Sequence, residues 1–212
     1  MKRLTSNLES IAEQICETFS GVDEAREKAL PLCRDVIRHC SRSIRALHRQ
    51  EFDQASELLQ AAGKCLCSAR EAVLPYRELT STSFVRDAQK EFAEASITLS
   101  LVTGNALPGP DELQVDPAPY LNGLGEAAGE LRRYLLDNIR QGDLSQGEDL
   151  LSAMDDIYGI LVTIDFPDAI TGGLRRTTDM VRGVLERTRS DLTLVMSQKD
   201  LEKKLTKSNL ET

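Results

Sequence analysis

Along nearly the whole chain, apolar residues recur at alternating steps of three and four, the spacing that lines one face of a helix and no face of a strand. Leu4, Leu8, Ile11, Ile15 and Phe19 form the first such stripe, which predicts a helix over 4–19 ended by Ser20 and Gly21. Leu30, Cys33, Ile37, Cys40, Ile44 and Leu47 form the buried face of a second over 23–49, and Pro31 is expected to bend its first turns. A third is predicted over 53–74, where Pro75 halts it, and a fourth over 83–102 with Val85, Ala88, Phe92, Ala95, Leu99 and Val102 as its seam. Residues 103–119, TGNALPGPDELQVDPAP, are dense in Pro, Gly, Asn and Asp and read as the one clear loop, suited to an insertion or a mobile segment. Helices over 118–140 and 143–163 follow, and a seventh starts near Gly172 and Gly173 and continues past Leu194.

Composition supports the same reading. Aromatic residues make up only 4% of the 212, with no Trp, while Leu, Ala, Glu and Arg abound, as in helices packed through aliphatic side chains. An all-α fold in one domain over 1–200 is expected, with 201–212 as a polar tail that frays. The N-terminal stretch lacks the apolar centre of a signal peptide, and no apolar run approaches the ~20 residues of a membrane span, so a soluble, cytoplasmic protein without membrane contact is expected.

Five cysteines, at 16, 33, 40, 65 and 67, are odd in number, and with no export signal a disulfide framework is not expected. No second Cys or His pair completes zinc-finger spacing around them. His39 and His48, the only histidines, are not spaced as H-E-x-x-H. A net charge of -8 opposes indiscriminate binding to nucleic acid but leaves local basic patches open.

Two acidic pairs stand out. Glu91 and Glu94 lie three apart on one side of the fourth helix, where like charges repel. On the fifth, Tyr120, Leu124, Ala127, Leu131 and Tyr134 make the apolar stripe, and Gly123, Glu126, Glu130 and Asp137 fall together on another side. Three glycines, Gly123, Gly125 and Gly129, weaken that helix by up to ~1 kcal/mol each, which calls for the close approach of a neighbouring helix or a ligand. The competing reading is that both pairs are merely solvated edges. If the two helices pack together, however, four carboxylates converge, and hard oxygen donors of that kind suit Mg²⁺ or Mn²⁺.

The stretches KEFAEA (90–95) and YLNGLGEAAGELRRYLLDNIRQGD (120–143) resemble the two acidic boxes of the translin and TRAX (translin-associated factor X) family, on its TRAX side. Upstream, REKALPLCRDVIRHCSRSIRALHR (26–49) is similar to a further family segment through Arg26, Glu27, Arg34, Asp35, Ser41, Arg42, Ile44, Leu47, His48 and Arg49, as is KCLCSAREAV (64–73). The resemblance implies a seven-helix bundle that assembles, with itself or with a translin-like paralogue, into a closed oligomeric barrel around RNA. In TRAX-type members acidic residues of the two boxes support Mg²⁺-dependent endoribonuclease activity, and the matching positions here are Glu91, Glu94, Glu126 and Glu130. The chain departs from the pattern with Lys90 where Gln is usual and Glu126 where TRAX proteins have Asp.

These observations favour a Mg²⁺ or Mn²⁺-dependent endoribonuclease acting on single-stranded RNA, with those four glutamates as metal ligands and catalytic groups. Arg77, Arg86, Lys90, Arg132 and Arg133 flank the boxes and are candidate phosphate contacts. The scarcity of aromatics argues for weak sequence preference. The stripe Arg34, Arg38, Arg42, Arg45 and Arg49 ranks second, as its spacing also fits a solvated face. Two other readings are a non-catalytic translin-type oligomer that binds single-stranded RNA or DNA, and a helical scaffold for protein partners.

Overall fold

The computed structural model describes residues 5 and 7–210, with side chains as far as residue 206, and shows no strand among them. Six long helices carry the structure: α1 (Leu8–His48), α2 (Phe52–Val73), α4 (Ser83–Val102), α6 (Pro117–Arg140), α7 (Gly147–Thr163) and α9 (Leu174–Leu210). Three single turns, α3 (Arg77–Thr80), α5 (Pro110–Leu113) and α8 (Asp168–Thr171), sit in the connections.

The expected count of seven long helices falls to six because Ser20 and Gly21 do not break α1. A Cβ at Gly21 would meet the Tyr76 hydroxyl, so this glycine permits a close approach and not a turn. Pro31 is also held inside α1, which runs on to His48. Of the first stripe, Leu4 lies outside the described residues. Leu8, Ile11, Ile15 and Phe19 are 59%, 42%, 47% and 67% exposed, so the face that announces the helix does not enter this chain's own core. Burial along α1 begins at Ala25 and continues through Ala29, Cys33, Val36, Cys40 and Leu47.

The expected loop over 103–119 is well anchored. Tyr120 donates its hydroxyl hydrogen to the Pro108 carbonyl at 2.9 Å, and the Asp116 N–H donates to the Gln89 side chain at 2.7 Å. Pro108 and Val115 are buried. After Gly172 and Gly173, whose φ values of +65° and +90° suit glycine, α9 runs through the polar segment to Leu210.

Helix α4 sits centrally, against α1, α2 and α6, while α6 also packs on α7 and α9. Ala88, Ala93 and Ala95 are fully buried on α4, and their small side chains let the neighbours come close. Larger groups fill the remainder of the core: Leu47, Ile97, Leu131, Leu135, Met154, Leu161, Val181 and Leu192. Each buried Leu, Ile, Val or Met contributes about 1.5–3 kcal/mol relative to exposure. The burial of α4 among α1, α2 and α6 is what forces its polar side chains into close quarters.

Candidate functional site

The α4 and α6 acidic sets face each other. Ligand oxygens of Glu91, Glu94 and Glu126 all lie within 4.8 Å of one another. The contact that brings them together depends on Gly123: a Cβ there would stand 2.7 Å from the Lys90 carbonyl oxygen, 2.9 Å from Ala93 Cβ and 3.0 Å from the Glu94 nitrogen. Glycine is therefore the residue that lets the backbones of α4 and α6 approach beside the carboxylates. Gly125 likewise fits against Thr177, Leu161 and Val181. Gly129, the third glycine noted in the sequence, has no such neighbour and opens on free space.

Gathering these acids perturbs them. Glu94 is 9% exposed, and burial first, then the charges of Glu91, Glu126 and Glu130, push its carboxyl up to about 8. Burial also raises Glu91, against the opposing pull of Lys90. Behind them Cys40 of α1 is fully buried, and desolvation followed by the charges of Glu91 and Glu94 drives its thiol well above the usual range.

Two nitrogen-bearing side chains, Lys90 and His48, reach the acids. Lys90 Nζ lies 2.7 Å from Glu126 Oε1 and 3.9 Å from Glu91 Oε1. Burial lowers the Lys90 ammonium, but the bond to Glu126 and the neighbouring charges outweigh it and leave the group raised. Glu130 stands apart from the three-way cluster. Its Oε2 shares a 2.5 Å hydrogen bond with Nε2 of His48, whose side chain is only 6% exposed and whose Nδ1 is 4.0 Å from Asp137 Oδ2. This link joins residues 82 apart in sequence, and the sequence reading gave His48 no role beyond its place in a motif.

Beside the cluster lies a groove of about 660 Å³, lined by Arg86, Lys90, Asn122, Glu126, Arg176 and Thr177 among others. Asn122 is held by donation to the Thr171 carbonyl at 2.8 Å and by acceptance from the Thr177 hydroxyl at 2.6 Å, which ties α6 to α8 and α9 at the groove floor. Arg86 and Lys90 were expected near the site and line this groove, whereas Arg176 was missed because it comes from α9, far along the chain. Arg77, on α3, is exposed and outside the groove lining. Arg132 donates to Thr188 at 3.0 Å and to Asp191 at 2.7 Å, tying α6 to α9, and Arg133 is exposed, 3.9 Å from Glu130.

The donor set fits a hard divalent cation. It offers carboxylate oxygens alone, in mutual reach, and burial together with the neighbouring carboxylates raises one of the acids, Glu94, to about 8. Cys40, whose thiol burial raises, is enclosed in the core and adds no exposed sulfur to this set.

No family model matches the chain. An uncharacterized protein of Methanocaldococcus jannaschii is 29% identical over 180 residues, covering 82% of this chain and 78% of that protein. Among solved structures, AfC3PO from Archaeoglobus, in complex with duplex RNA, superposes with a TM-score of 0.80 at 34% identity, covering 88% of this chain and 97% of that one. AfC3PO by itself gives 0.79 at the same identity and coverage. Apo-NeC3PO from Neurospora gives 0.77 at 19% identity over 90% and 97% of the two chains, a likeness of fold. With 34% identity to AfC3PO over 97% of that chain, and a shared fold, this chain belongs to the translin/TRAX family.

Proposed function

We propose that this chain is an RNA-binding subunit of a translin/TRAX assembly and that Glu91, Glu94 and Glu126, with Glu130 beside them, form a metal-dependent endoribonuclease site. The convergence of carboxylates from two separate helices within 4.8 Å is the observation that carries this reading. The AfC3PO complex with duplex RNA supports its RNA side, as do the arginines of the adjoining groove. A Mg²⁺ or Mn²⁺ ion held there would supply charge neutralisation at a phosphoryl oxygen and acidify a water.

The chain's own residues account for the remaining requirements. Glu91 and Glu126, partly exposed at the mouth of the cluster, meet incoming cation and substrate, while buried Glu94 anchors the site from beneath. His48 fixes the orientation of Glu130 through their hydrogen bond. Arg86 and Arg176 line the groove, form no ion pair among the described residues, and would hold backbone phosphates of a bound strand. Arg77 and Arg133 are exposed cations that would extend the contact outward, and Arg132 would contribute by bracing α6 against α9. The subunits associate with copies of themselves or with a paralogue, and among the described residues no helix is long and apolar enough to cross a membrane. We place the protein in the cytoplasm.

A specific observation favours a second reading. Lys90 engages Glu126 and His48 engages Glu130, so two of the four expected ligands already have partners, as suits a non-catalytic RNA-binding member. The test is incubation of purified protein with a labelled oligoribonucleotide, single-stranded and annealed, in Mg²⁺, Mn²⁺ or EDTA. Cutting of the single strand that EDTA stops, and that Glu126→Ala reduces by at least about a hundredfold with helix content retained, supports the nuclease. Binding with intact RNA in both metals supports the second reading and ends the first.

A further inference from the structure

The least expected member of the acidic cluster is a cation. Lys90 shares α4 with Glu91 and Glu94, and its ammonium spans to α6 to meet Glu126 at 2.7 Å while remaining 3.9 Å from Glu91. Two of the three clustered carboxylates are thus served by one organic cation attached to the protein itself. At 26% side-chain exposure Lys90 is partly withdrawn from water, and it is also part of the groove lining. A lysine stem has four rotatable carbons and a compact charge, so it can leave one anion for another without disturbing the helix that carries it.

We propose that Lys90 is a tethered competitor for the metal site: it neutralises Glu91 and Glu126 while the site is empty and must withdraw from Glu126 before that carboxylate can serve a divalent ion. This rests on the metal-site reading above and adds to it a setting of affinity. The competitor is present at high effective concentration because it is covalently attached, so its effect is to weaken metal binding by a fixed factor and not to abolish it. Withdrawn from Glu126, the ammonium still lies along the groove that holds Arg86 and Arg176, where a phosphodiester would receive it. Loading the metal and strengthening the anion site are then coupled through one side chain.

The experiment is a direct Mn²⁺ titration, followed by electron paramagnetic resonance of the free ion, on full-length wild type, Lys90→Gln and Lys90→Arg. Glutamine removes the charge with little change in bulk, and arginine keeps the charge. Lys90→Gln is expected to bind Mn²⁺ at least about fivefold tighter than wild type, and Lys90→Arg to stay within about twofold of it. A purely structural role would shift thermal stability and leave the Mn²⁺ affinity alone. Equal affinities in wild type and Lys90→Gln overturn this proposal while leaving the metal site standing, as does Lys90→Arg binding as tightly as Lys90→Gln. Absence of saturable Mn²⁺ binding in all three overturns the proposal and the metal site together.

Discussion

Glu94 shows most plainly what it costs to bring like charges into a helical core. Its carboxyl titrates near 8 in the folded chain against an ordinary value of 4.5, so folding takes up a proton between those two pH values. The sign follows: the contribution to stability is complete below about 4.5 and is lost as pH rises through about 8. Thermal unfolding of metal-free protein is therefore expected to show a midpoint that falls across this window, and excess Mn²⁺ should flatten the fall by meeting the charge. A midpoint that rises from pH 5 to pH 8 without metal would contradict the assignment. The spacing of Glu91, Glu94, Glu126 and Glu130 was readable from periodicity, because a helix fixes which side chains share a face. The pairings of Lys90 with Glu126 and of His48 with Glu130 were not, since they depend on which helix packs against which.

Helices α4 and α6 owe their close approach to one absent side chain, and the glycines of α6 offer a matched pair of tests. Gly123→Ala sets a Cβ against two backbone atoms of α4, and such overpacking is expected to cost about 1–3 kcal/mol despite alanine's better helix propensity. Gly129→Ala meets nothing and should stabilise by roughly 0.5–1 kcal/mol. Urea denaturation of both variants distinguishes the two environments, and equal effects would mean that the α4–α6 contact is not governed by Gly123. The bounds of α4 coincide with the sequence expectation, and those of α2 and α6 lie within a residue of it, because apolar periodicity and proline placement act locally. The supposed break at Ser20 and Gly21 failed for the opposite reason. Its glycine answers to Tyr76, more than fifty residues away, and no local signal separates a packing glycine from a terminating one.

At the scale of the molecule, the start of α1 carries an apolar face that the proposed assembly would cover. Ile11, Ile15 and Phe19 lie along a helix that this chain leaves uncovered, while Ile160, Val162, Phe166 and Ile170 form a second exposed apolar group near the end of α7. Replacing Ile15 and Phe19 together with Glu is expected to lower the mass seen by sedimentation while far-ultraviolet circular dichroism stays unchanged. An unaltered mass would remove α1 from the assembly surface. The sequence could announce this stripe but not its destination, because a seam buried within a chain and one buried between chains share the same period.

Cys40 gives the molecule a clock of its own. Its sulfur is sealed between the first helix and the acidic pair, while Cys16 and Cys67 are open to solvent. Under a maleimide pulse Cys16 and Cys67 should be labelled at once, and Cys33 and Cys40, both buried on α1, only when that helix lifts away. The lag between them measures how often the floor of the carboxylate cluster comes open.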